Sequence, residues 1–275
     1  MILADIHTHT SFSTDSDAAP EAMLASAVAR GLSTYCITDH MDYLFPMDET
    51  AFLFDPKAYF SKMTALREEW SDRIDLRIGV ELGLRDEPDV AGPVRDYYEK
   101  LLRDYPFDFV IGSTHCVCHT DPYYPDYWQT RTGTEGVLRY LEAELWNMEH
   151  YDGFHVCGHL DYILRYVPKN RRVHRSKLND VTEAILQTLL RRGIGLEINS
   201  GSLRRNYPDF NPSAAIAARY YELGGRLITI GSDAHYAEHV AADFDRAEAM
   251  LTAIGFDSYA TFRSGKPIFQ KFSDR

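Results

Sequence analysis

No stretch of this 275-residue chain approaches the roughly 20 apolar residues that a bilayer-crossing helix needs, so no membrane span is expected. Lysine and arginine nowhere form a long run, and the formal net charge is -12. That sign disfavours broad binding to long nucleic acid, where cationic side chains supply most of the affinity. It leaves room for a small anionic substrate, because bound metals and a few arginines invert the field locally. Cysteine is scarce: Cys36, Cys116, Cys118 and Cys157 lie in strand-like or motif segments, not in a regular disulfide framework. Reduced thiols and a cytoplasmic setting follow as expectations. The start, Met1-Ile2-Leu3-Ala4-Asp5, carries neither a basic segment nor a long apolar run, so no secretory signal is expected. Internal repeats and low-complexity linkers are missing too. With 45% hydrophobic and 25% charged residues, one globular domain over 1–275 is the expectation.

What the chain does have is an alternation. Short apolar runs at 2–6, 33–37, 76–80, 107–112, 154–157, 194–198 and 226–230 are separated by amphipathic segments at 21–30, 56–70, 94–103, 135–150, 177–192 and 212–223. A further helical stretch follows at 243–254. Strand followed by helix, repeated in this way, argues for a parallel sheet that is closed or nearly closed. Pro20 and Pro212 are expected in first helical turns, where a missing N–H is tolerated. Gly31, Gly193 and Gly224 follow helical segments as C-terminal caps. Two long aromatic-rich connections, 42–55 and 116–133, read either as covers for one barrel end or as substrate-shaping loops.

Nearly every strand-like run ends in a histidine, aspartate or glutamate. The series is Asp5-Ile6-His7-Thr8-His9, Thr38-Asp39-His40, Glu81 after the run 76–80, Ser113-Thr114-His115, Gly158-His159 and Ser232-Asp233-Ala234-His235. A parallel barrel gathers the C-terminal ends of its strands at one rim, where distant residues converge. His7 and His9, two apart on an extended backbone, point to the same side. Glu81 extends an apolar run, where a carboxylate is costly to bury unless paired or metal-bound. Asp5 is either a ligand or a carboxylate that orients the neighbouring imidazoles. Each residue alone would pass for a hydrogen-bonded core or surface group. Their repetition at one depth is the signal, and it reads as a site for several divalent metals. Cys116 and Cys118, flanked by His115 and His119, offer thiolates for a separate zinc site, but neighbours so close in sequence rarely close a tetrahedron unaided.

The set Asp5-x-His7-x-His9, Thr38-Asp39-His40, Glu81, Ser113-x-His115, Gly158-His159 and Ser232-Asp233-x-His235 resembles the motifs of the polymerase and histidinol phosphatase (PHP) superfamily, in the family's order. Gly158-His159-Leu160-Asp161 and Glu197-Ile198-Asn199 are similar to its histidinol-phosphate phosphatase branch. The resemblance implies an α/β fold, a distorted seven-stranded (β/α) TIM-like barrel with its metal site at the C-terminal rim. It implies one metal on His7, His9, Glu81 and Asp233, and a second on Glu81, His115 and His159 with Glu81 bridging. A third would take Asp15, His40 and His235, with Asp17 close enough to compete for the place of Asp15.

Two or three zinc, iron or manganese ions in such a site lower the pKa of a bridging water and clamp phosphate oxygens. The expected reaction is attack of that hydroxide on a phosphomonoester, releasing an alcohol and phosphate. By resemblance, the ester is histidinol phosphate in histidine biosynthesis. Glu81, Asp233 and His235 are the candidate catalytic residues, and the leaving-group acid is open among His235, Asp42 and a metal-bound water. Arg165 and Arg204, with Arg205 as the alternative, are candidates for the phosphate, since guanidinium matches its geometry. Asp42, Tyr43, Asp161 and the aromatics of 116–128 are candidates for the ammonium and imidazole of the substrate. The competing readings are a PHP phosphoesterase for another small ester or nucleotide, an amidohydrolase-like hydrolase, and a metal-binding protein without turnover. Glu81 stands where the amidohydrolase would need a bridging carbamylated lysine.

Overall fold

In this computed structural model, residues 1–205 and 207–272 are described. Seven short strands run parallel in the order β1 (Ala4–Asp5), β2 (Thr34–Ile37), β4 (Asp75–Gly83), β5 (Phe109–Ser113), β6 (Val156–Cys157), β7 (Gly195–Asn199) and β8 (Ile228–Gly231). β3 (His40–Met41) adds to the upper part of β4, His40 facing Glu81 in register. The first and last strands meet through a parallel bridge between Thr8 and Ala234 and a bond from Ile6 N to Ile230 O, so the sheet nearly closes. Helices cover its outer face, and β2, β5, β6, β7 and β8 are therefore buried throughout. That explains why these strands read as unbroken apolar runs and not as alternations.

The helices are α1 (Pro20–Ala29), α2 (Pro56–Glu69), α3 (Ala91–Asp104), α4 (Pro125–Trp128), α5 (Gly133–His150), α6 (Asn179–Arg192), α7 (Ala214–Glu222) and α8 (Phe244–Ile254). Local chemistry sets their starts. Pro20 and Pro56 open α1 and α2, and the Asp55 carboxylate caps α2 through Lys57 N at 2.9 Å. Thr132 and Glu135 form a reciprocal capping box on α5. Gly31, Gly193 and Gly224 adopt left-handed backbone just past the helices they follow, as expected. Pro212 does not: α7 begins at Ala214, because Ser213 is its N-cap.

An element absent from the sequence reading is the antiparallel hairpin β9 (Ser258–Arg263) and β10 (Lys266–Lys271). It lies across the starts of the barrel strands. Phe262 packs on Phe109 with ring centroids 4.9 Å apart, Arg77 Nη1 donates to Phe262 O, and Leu3 N donates to Tyr259 Oη. The opposite rim carries the histidines. No helix among the described residues is long and apolar enough to cross a membrane.

Candidate metal centre

β1 runs directly into Ile6-His7-Thr8-His9, and the alternation of an extended chain turns both imidazoles inward, fully buried. Their Nε2 atoms stand 3.1 Å apart. Glu81, near the end of β4, brings Oε2 to 3.2 Å from His7 Nε2 and 3.5 Å from His9 Nε2. Asp233 brings Oδ1 to 3.3 Å from His9 Nε2 and 3.9 Å from His7 Nε2. Asp233 reaches this position from left-handed backbone, a conformation uncommon outside glycine and typical of constrained functional residues. Four ligand bonds of about 2.1 Å in a tetrahedron separate the ligand atoms by roughly 3.4 Å. The spacing of these four atoms fits one cation.

The other oxygen of Glu81 faces a second group. Oε1 lies 3.2 Å from His115 Nε2 and 2.9 Å from His159 Nε2, and Ser113 Oγ donates to it at 2.6 Å. Asp15 joins a third group, with Oδ2 3.1 Å from His235 Nε2 and Oδ1 3.8 Å from His40 Nε2. The His9 ring stacks on both His40 and His235, with centroids 4.2 Å apart in each case. Asp17 is exposed. Several atoms here are buried without a hydrogen bond: Glu81 Oε2, His40 Nδ1 and His235 Nε2. His40 Nδ1 is 3.0 Å from Glu81 Oε2 yet lacks hydrogen-bond alignment. Buried polar atoms are ordinarily satisfied, so this convergence of unmatched nitrogen and oxygen atoms fits divalent cations.

The electrostatics of the protein alone say the same. Burial opposes ionisation of Glu81, yet the imidazoles of His7, His115 and His40 hold its carboxyl well below the ordinary range. Burial likewise opposes a charge on Asp233, and His9, His7 and His235 outweigh it. His7 is buried but held well above the usual imidazole value by Glu197 and Glu81. His9 goes the other way, pushed well down by burial and by the nearby His235 and His40. Buried carboxylates held ionised among imidazoles favour positive charge in this cluster, which a bound cation would supply.

Behind the converging atoms stands a layer that orients them. Glu197 Oε1 lies 2.5 Å from His7 Nδ1, while Oε2 accepts from the backbone N–H of His159 at 2.7 Å, so one carboxylate of β7 orients the His7 ring and fixes the main chain that carries His159. Asp42 Oδ1 is 2.7 Å from His115 Nδ1. A Cβ added to Gly83 would stand 1.5 Å from that Asp42 oxygen, so the strand needs glycine there. Asp39 accepts from Thr10 N, Thr10 Oγ1 and Ser13 Oγ, and Ser13 Oγ lies 3.1 Å from His9 Nδ1. Asp5 is not among the converging atoms; it accepts from Ser232 N and Ala241 N and pins the loop that carries Asp233. In the sequence, Glu197 stands out only through the family resemblance of Glu197-Ile198-Asn199. An acid inside the buried strand 194–198 was the same signal that marked Glu81.

The mouth of the cavity is lined by Phe45, Phe52, Asp121, Tyr162, Tyr166, Arg165 and Arg205, above Asp15, Asp42 and the histidines. Arg165 stacks over Tyr162 and Tyr166 and reaches to 3.7 Å from Asp233 Oδ2, with Nε and Nη1 buried and unbonded. Arg204 instead donates to Ser232 O, and it is Arg205 that lines the cavity. Tyr43 stacks on Tyr97 at 4.1 Å, and neither it nor Asp161 lines the mouth. Among the described residues, no set of converging ligand atoms includes Cys116 or Cys118.

Comparison with known proteins fits this geometry. A PHP domain matches residues 5–201. The chain is 30% identical over 270 residues to the histidinol-phosphatase of Lactococcus lactis, covering 95% of each protein. A crystal structure of histidinol phosphate phosphatase from Lactococcus lactis, complexed with zinc, L-histidinol and phosphate, superimposes with a TM-score of 0.84 at 28% identity, over 96% of this chain and 98% of that one.

Proposed function

The chain belongs to the PHP family, and from that premise we propose that it is a metal-dependent phosphomonoesterase that hydrolyses L-histidinol phosphate to L-histidinol and phosphate in histidine biosynthesis. The observation that carries the reading is Glu81: one buried carboxylate whose two oxygens face two different groups of imidazoles. His7, His9, Glu81 and Asp233 would hold one ion, Glu81, His115 and His159 a second, and Asp15, His40 and His235 a third. Zinc, iron or manganese bound there would supply Lewis acidity toward the phosphate and acidify a water at neutral pH.

The chain's own groups do the rest. Arg165 carries unbonded buried N–H groups at the cavity wall and would take phosphate oxygens, with Arg205 beside it. Asp121 and Asp42 bring carboxylates, and Phe45, Phe52 and Tyr162 bring ring faces, to the side where an ammonium and an imidazole would sit. The aromatic walls also limit water near the reacting phosphorus. Glu197 and Asp42 keep His7, His159 and His115 in place. We place the enzyme in the cytoplasm, acting on this small substrate and not on long nucleic acid.

The test is phosphate release by metal-replete protein from L-histidinol phosphate, p-nitrophenyl phosphate and AMP. We expect kcat/KM on L-histidinol phosphate to exceed the other two by about 100-fold, because buried polar groups matched to one substrate penalise others that leave them unpaired. Equal rates on all three would remove the substrate assignment in favour of a less selective phosphoesterase. Bound metal without turnover would remove the phosphatase.

A further inference from the structure

Asp161, a candidate from its sequence for the substrate's cationic end, faces away from the histidine cluster. It lies instead at the bottom of a separate 460 Å³ cavity between α5, α6 and the start of α7. Asp161 is 2% exposed and accepts from Asn211 Nδ2 at 2.6 Å and from Ser213 N at 3.2 Å. Among the described residues it forms no ion pair. Beside it Ser213, 1% exposed, also reaches the cavity, and its Oγ has no hydrogen-bond partner. The walls above are apolar: Val137, Leu141, Leu164, Leu178 and Ile216. At the mouth, Arg219 is matched by Glu183 at 2.8 Å, which leaves Arg175, whose Nη2 donates to Tyr207 Oη and which forms no ion pair among the described residues, as the net positive group.

A buried carboxylate is costly without a countercharge, and a buried hydroxyl without a partner adds to that cost. A cavity of a few hundred Å³ with apolar walls and a few converging polar groups is the usual form of a small-molecule site. We infer that this cavity is a second ligand site, taking a small organic cation: a primary ammonium or protonated ring nitrogen on an apolar body about the size of a phenethyl group. Its N–H groups are shared between the Asp161 carboxylate and Ser213 Oγ, and the apolar body lies against Leu141 and Ile216. Arg175 at the mouth selects against a second positive charge.

The site is coupled to the histidine cluster by chain connectivity. Asp161 O accepts from Leu164 N at 3.0 Å, opening the 3-10 turn Tyr162–Tyr166 that carries Arg165 to the cavity mouth. His159 lies two residues on the other side. A cation drawn to Asp161 therefore acts on the turn that positions Arg165. This coupling, unlike the binding itself, rests on the phosphatase reading.

The experiment titrates phenethylamine and its neutral counterpart 2-phenylethanol into metal-loaded protein by calorimetry. Wild type should bind the amine at least about tenfold more tightly than the alcohol, the usual worth of a charged hydrogen bond. Ala215→Trp, at an exposed position over the mouth, and Ile216→Trp, in the wall, should each weaken the amine at least about tenfold while the melting temperature holds. An amine bound no better than the alcohol, or bound undiminished by both variants, overturns the site. In parallel, the amine should shift KM for L-histidinol phosphate at least twofold in wild type and not in Ala215→Trp; an unmoved KM overturns the coupling. Calorimetry needs no turnover, so a failure of the phosphatase reading would show in the hydrolysis assay alone.

Discussion

At the starts of the barrel strands Asp108 is buried with both oxygens engaged: Oδ2 accepts from Arg67 Nη2 and Ile78 N, and Oδ1 from Ser264 N. At the other end of the same sheet, Glu81 is buried with Oε2 unbonded and three imidazole nitrogens 3.0 to 3.5 Å away. Glu81 lies in β4 and Asp108 immediately precedes its neighbour β5, and the amount of burial is alike. What differs is whether the protein itself completes each polar group. At the base it does, and the hairpin β9–β10 is locked on by the result. At the rim it does not, and the shortfall has the shape of a cation. Conservative changes should therefore cost stability at the base and chemistry at the rim.

The largest effect expected is from Glu81→Gln. Even outer partners of metal ligands are worth 10–100-fold, so loss of this residue should lower kcat/KM by well over 100-fold. Metal content by plasma mass spectrometry should fall with it, and a chelator should do the same to wild type. Full activity with full metal content would erase the distinction between rim and base. Arg165→Ala should lower kcat/KM roughly 100-fold, as loss of a preorganised charge-stabilising donor does, with metal content unchanged. Glu197→Gln separates the layers of the rim: it should weaken metal affinity about 10–100-fold through His7 and His159, and excess metal should restore most activity. At the base, Asp108→Asn should lower unfolding free energy in urea by about 1–3 kcal/mol and leave kcat per folded molecule unaltered. A kcat that fell with it would show that the two ends of the barrel are functionally joined.

The smallest effect concerns His155, whose Nδ1 accepts from Val110 N at 2.9 Å. Burial pushes its imidazole down to about 4. Folding thus favours the neutral ring. Its contribution is complete above the unfolded value of about 6.5 and is lost as pH falls from there toward about 4. Urea midpoints of wild type should decline over that window, and His155→Gln should decline less.

Much of the rim was legible because each strand announces its end with a residue that does not belong in an apolar run. His7, His9, Glu81, His115, His159, Asp233 and His235 were all found this way, and the structure brings them together. The base was less legible. β9 and β10 pair with each other and pack on the barrel through a few aromatic and ionic contacts, which no period in the sequence records. Side-chain direction was the other gap. Arg204 and Arg205 are adjacent on a short 3-10 turn, so one residue of rotation decides which meets the cavity. Asp161 follows a histidine of the cluster closely in sequence yet points behind it, because Asn211 and Ser213 N take its oxygens.

Gly83 touches none of the converging atoms, yet it limits how far this protein can drift. A methyl group there would evict Asp42, and the His115 ring would lose the partner that sets its tilt. The position is vulnerable for want of a side chain, so a search for intolerant residues confined to groups that do chemistry would pass over it. An alanine at 83 should leave every coordinating atom in the chain and still spoil their arrangement.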